Sequence, residues 1–91
     1  MGLHQTFSFK YESVESVRSF LHELAASVSV EERAPEFYLL SQKTSEPNFT
    51  FDCEITPKGI RSERAGEYFA FLGVFVEELT GRFGAVTVED A

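Results

Sequence analysis

Three groups of residues in this chain are of types and spacings that could do chemistry. The first is Lys58-Gly59-Ile60-Arg61-Ser62-Glu63-Arg64, which holds three of the eight basic residues. A helix is expected to open at Ser62 or Glu63, and a helix N-terminus presents unpaired N–H groups that favour an anion. Lys58, Arg61, Arg64 and the Ser62 hydroxyl are therefore candidate ligands for a phosphate or carboxylate. A single glycine makes no phosphate cradle, and the plain alternative is a solvated loop pairing with nearby acids.

The second group is Lys10 with Asp52 and Glu54, expected on the wet face of a sheet if the first and third predicted strands pair. Carboxylates beside a lysine do acid–base work when buried. On an open sheet face, cross-strand charge pairing is the ordinary role. The third group is Cys53 with the two histidines. Cys53 shares parity with Phe51 and Ile55, so it is expected as a buried, inert thiol. His4 and His22 lie far apart, with no ligand-spaced cluster around either, so no metal, cofactor or catalytic constellation is expected. Glu31-Glu32 and Glu77-Glu78 read as solvated faces. Gly2 with Thr6 formally matches an acylation pattern, but it runs straight into a strand without a basic patch beside it.

The elements that must position these residues are set by apolar periodicity. Phe7, Phe9 and Tyr11 alternate with polar residues, predicting a strand over about 5–11. Ser13 is placed to cap a helix with Glu15 in its first turn, and Val14, Val17, Leu21, Leu24 and Val28 follow at helical spacing. Glu31 to Pro35 breaks the pattern. Glu36 to Gln42 reads as a second strand, and Thr44 to Asn48 as a loop. Phe49, Phe51, Cys53 and Ile55 define a third strand, ended by Pro57-Lys58-Gly59. The second helix carries Ala65, Tyr68, Phe69, Leu72, Phe75, Val76 and Leu79 inward, and Ala85 to Glu89 forms a short last strand. The order strand, helix, strand, strand, helix, strand predicts an α+β, ferredoxin-like βαββαβ fold in one domain, 1–91. It has a four-stranded antiparallel sheet, two helices on one face, and the second strand at an edge.

Two apolar surfaces are left over in that arrangement. Phe37, Tyr38, Leu39 and Leu40 make the second strand apolar on both faces, so one pair must point away from the helices, where an edge strand is normally polar. On the second helix, Gly66, Ala70, Phe71, Gly73 and Val74 fall opposite the main stripe. Phe37–Leu40 with Phe71 and Val74 are the expected interface.

Composition narrows the function classes. Eight basic residues against fifteen acidic give a net charge of −7, which repels phosphate backbones and anionic membranes. One cysteine makes no intrachain disulfide, and no run of about 18 apolar residues exists, so a cytoplasmic location is expected. RNA-recognition motifs share the predicted element order but place aromatics on the outer face of the third strand, where this chain has Thr50, Asp52, Glu54 and Thr56. Acylphosphatases and amino-acid-binding regulatory modules use a glycine after the first strand, where this chain has Lys10-Tyr11-Glu12-Ser13. The expected function is a small acidic protein-binding module without catalysis. It would form a homodimer or capture a basic protein, comparable in size and charge to small acidic proteins that neutralise toxins or regulate partners. The alternative is a dimeric ferredoxin-like binder of, or enzyme acting on, an anionic small molecule.

Overall fold

In the computed structural model, which describes residues 3–90, six strands form one antiparallel sheet and two helices cover one of its faces. The elements are β1 (Leu3–Ser8), α1 (Val14–Glu23), β2 (Ser29–Ala34), β3 (Phe37–Ser41), β4 (Phe49–Thr56), β5 (Gly59–Gly66), α2 (Phe69–Phe83) and β6 (Thr87–Asp90). The strand order is β2-β3-β4-β5-β1-β6. The fold is α+β, but the four-stranded ferredoxin-like sheet is overturned by two further strands, β2 and β5.

Both escaped the periodicity for identifiable reasons. At the edge strand β2, only Val30 is partly buried, so Glu31, Glu32 and Arg33 present no apolar alternation. Charges on an edge are what keep it from pairing with another chain. Strand β5 does alternate, but its inward positions are Ile60, Ser62 and Arg64, two of them polar. A buried serine and arginine look like a basic loop when only hydrophobicity is read. Gly59 starts β5 at φ +149°, immediately after the Pro57-Lys58 turn. Inserting β5 between β4 and β1 separates the strands that were expected to pair and moves the start of the second helix to Phe69.

The helices form as their spacing dictates. The Ser13 side chain accepts from the Ser16 N–H at 3.3 Å, capping α1, and Val17, Phe20 and Leu21 face the sheet. A single 3₁₀ turn, Leu24–Ala26, extends α1 and carries Leu24 into the core. In α2 the buried stripe is Phe71, Phe75 and Leu79. Phe75 is the hub of the core, with its ring centroid 5.3 Å from that of Phe7, 4.8 Å from Phe51 and 5.8 Å from Phe20. A fully buried phenylalanine contributes about 2–3 kcal/mol through area removed from water. Phe9 stacks on Phe83 at 4.7 Å and closes the far end of the core. No helix among the described residues is long and apolar enough to cross a membrane.

Candidate functional site

Both helices pack on the sheet, and a groove opens between them. Its floor is Phe20 and Leu24 from the α1 side, one wall is Val74 of α2, and its volume is about 560 Å³. Glu23 stands on one rim, and Glu77 and Glu78 stand on the other. The periodicity of α2 produces this: with Phe71, Phe75 and Leu79 turned down onto the sheet, Val74, Glu77, Glu78 and Gly81 are turned toward α1. A Cβ added at Gly81 would meet nothing within 4 Å, so this glycine serves no backbone approach within the fold and leaves the groove wide.

The groove continues along α2 into a second hollow of about 250 Å³ that shares Ser27 and Val74 and is floored by Val28, Phe49 and Phe71, with Ala70 beside them. Val74 is a large apolar residue left 43% exposed at this junction. Arg82 also lines the groove, but its guanidinium is tied to Glu23. Glu77 and Glu78 have no cation within ion-pair distance among the described residues. The groove therefore combines an exposed apolar side chain, Val74, over the buried Phe20 and Leu24 with one acidic rim, Glu77 and Glu78, that has no counter-charge among the described residues; on the other rim Glu23 is paired with Arg82.

The expected interface residues do not form one surface. Strand β3 is not at an edge, because β2 pairs along it. Tyr38 and Leu40 face the helices and are fully buried, and the Tyr38 hydroxyl donates to Glu32 at 3.2 Å. Burial, then that bond to Glu32, pushes the Tyr38 phenol up from its ordinary value. Phe37 and Leu39 point to the opposite face and are half-buried there. Phe71 stacks on Phe49 in the core. Of the six, only Val74 lies exposed on the groove.

The expected anion cluster is split in the same way. Arg61 lies on the open face of β5, 3.8 Å from Glu54 across the strand pair, while Lys58 sits in the turn before β5. Ser62 and Arg64 point to the helix face and are buried. Alternation along a strand sends Arg61 and Arg64 to opposite sides, so they cannot converge on one ligand, and no helix begins at Ser62. Lys10 lies outside β1 and β5 separates that strand from β4, so Lys10 has no strand neighbour in Asp52 or Glu54. Asp52 instead lies opposite Glu63. Burial, then the Glu63 charge, pushes its carboxyl above the usual carboxylate range.

Cys53 is fully buried beside Tyr38 and Ser62, and burial pushes its thiol far above the ordinary value, which leaves no thiolate to react. His4 lies 3.4 Å from Glu63 and His22 lies 3.6 Å from Glu32, each an exposed pair. Among the described residues no group of His, Cys, Asp and Glu is placed to hold a metal ion. Gly2, of the formal acylation pattern, lies outside the described residues. The groove itself was missed from sequence because its parts belong to different elements. Its only local signal was Val74, off the main stripe and followed by Glu77-Glu78. The chain matches no protein-family model and has no significant sequence similarity to a curated protein.

Proposed function

We propose that this protein is a non-catalytic binding module that takes a basic, apolar-anchored segment of a partner protein into the groove between α1 and α2. The observation that carries this reading is the pairing of an exposed apolar wall, Val74, over Phe20 and Leu24 with a rim whose Glu77 and Glu78 have no counter-charge among the described residues. An amphipathic helix laid in such a groove buries its apolar face, while flanking Lys or Arg meet the acidic rim. The net charge of −7 speeds the approach of a basic partner and opposes the approach of a second copy of the chain. Room also favours this face over the open sheet: the groove holds about 560 Å³, and the hollow beside Phe37, Asp52 and Glu54 only about 60 Å³.

The test uses a fluorescein-labelled amphipathic helical peptide of Leu and Lys, followed by fluorescence anisotropy. A Kd of about 10 µM is expected, equivalent to about −7 kcal/mol. Val74→Asp and the double variant Glu77→Lys/Glu78→Lys are each expected to weaken binding about tenfold. A control peptide with every Leu replaced by Ser should not bind. Equal binding of both peptides, or full affinity in both variants, would contradict the proposal. A native mass spectrum is expected to show a monomer. A dimer broken by Val74→Asp would reassign the groove to a second copy.

A further inference from the structure

The core contains a cation without a counter-ion. Arg64 is 1% exposed, and no carboxylate lies within ion-pair distance of it among the described residues. Its guanidinium carbon stands 5.7 Å from the ring centroid of Phe7, 5.6 Å from Phe51 and 5.0 Å from Tyr68. One nitrogen donates to the Gln5 side-chain carbonyl. Among the described residues Nε and Nη1 have no hydrogen-bond partner, and neither does the buried Oγ of Ser62, two residues away on the same face of β5. Gln5 lies directly opposite Ser62 on β1, so the three polar side chains converge.

Ring faces stabilise a guanidinium by their quadrupoles, but they are only weak acceptors for its N–H groups. A buried arginine normally meets a carboxylate or phosphate, because the desolvation of an isolated charge is otherwise uncompensated. The roof of this site is Tyr68, half-buried, at the N-cap of α2 and making no side-chain capping bond. It follows the bend at Gly66, where φ is +83°, and its ring stacks outward on Phe69, which is 69% exposed. The ring thus joins the buried guanidinium to the surface.

We propose that Arg64, with the Ser62 hydroxyl and with Gln5 holding the guanidinium in place, forms a binding site for a small carboxylate, entered when the Tyr68 ring swings outward. The site is independent of the groove between the helices. Arg64 supplies Nε and Nη1 donors to the carboxylate, Ser62 supplies one hydroxyl donor, and the aromatic walls exclude water so that these bonds are strong.

The test is heteronuclear NMR of the ¹⁵N-labelled protein, following the arginine Nε–H signals. Sodium acetate, sodium phosphate and sodium chloride are titrated at matched ionic strength. Acetate is expected to shift the Arg64 Nε–H signal saturably, together with the Ser62 and Tyr68 amides. Tyr68→Ala removes the roof and is expected to tighten acetate binding about tenfold, since the open state no longer has to be populated against the ring. Ser62→Ala keeps the cation and is expected to weaken binding about fivefold through the loss of one hydrogen bond. Arg64→Met should abolish the response, and if that variant does not fold, Ser62→Ala decides. An Arg64 signal that none of the three salts moves, in wild type and in Tyr68→Ala, would make the guanidinium purely structural and overturn the proposal. Shifts confined to exposed arginines, or saturation by phosphate alone, would overturn it as well.

Discussion

At the scale of single residues, polar groups depart most from what their positions in the sequence announce. Arg64 and Ser62 occupy inward strand positions and are buried, although both are residues usually found in water. Cys53 shows the opposite behaviour: parity with Phe51 and Ile55 placed it in the core, and there it lies. On the open face, Asp52 and Glu63 stand directly opposite each other across β4 and β5, a like-charge pair that opposes folding. The Asp52 carboxyl is raised in the folded state, so the native protein holds that proton to higher pH than the unfolded chain does. Stability from this group is therefore complete below the ordinary carboxylate value and is lost as pH rises through the raised one. Asp52→Asn is expected to match wild type in urea unfolding at about pH 3 and to exceed it by about 0.5 kcal/mol at about pH 7. A variant less stable than wild type at neutral pH would contradict the repulsive role.

At the scale of elements, how much was legible depended on whether the buried positions were apolar. Phe49, Phe51, Cys53 and Ile55 announced β4, and Ser13 with Val17 and Leu21 announced α1 and its cap. Strand β5 was hidden because Ser62 and Arg64 occupy its inward positions, and β2 because almost nothing on it is buried. Once β5 was read as the start of a helix, the anion cluster followed from the error. Its charged residues are expected to gather around a helix N-terminus opening at Ser62 or Glu63, whereas a strand distributes them to two faces. Gly66 was assigned to a helix for the same reason, and its true role is at the end of β5. There φ is +83°, and a Cβ would stand 2.2 Å from the carbonyl oxygen of Asn48. Gly66→Ala is expected to destabilise the protein by about 3 kcal/mol, through backbone strain and that clash, as read from the urea midpoint. A change below about 0.5 kcal/mol would show that the bend is not fixed as described.

At the scale of the whole molecule, the sheet divides the surface into two unlike halves. One face is open and bears charge pairs such as Arg61 with Glu54 around half-buried Phe37 and Leu39. The other is covered by two helices that leave an acid-rimmed groove between them. Charge at this scale was legible from composition, since a net −7 has to appear somewhere on the surface. The location of an apolar floor beneath that charge was not, because Phe20, Leu24 and Val74 come together only when α1 and α2 are laid on the same six-stranded sheet. The central claim is that this groove is where a partner binds. Its most direct test is a ¹⁵N–¹H correlation spectrum recorded during titration with the Leu/Lys peptide. Shift changes are expected to cluster at Phe20, Leu24, Ala70, Val74, Glu77 and Glu78 and to saturate together. Changes centred on Phe37 and Leu39 on the open face, or a spectrum that does not move at millimolar peptide, would contradict it.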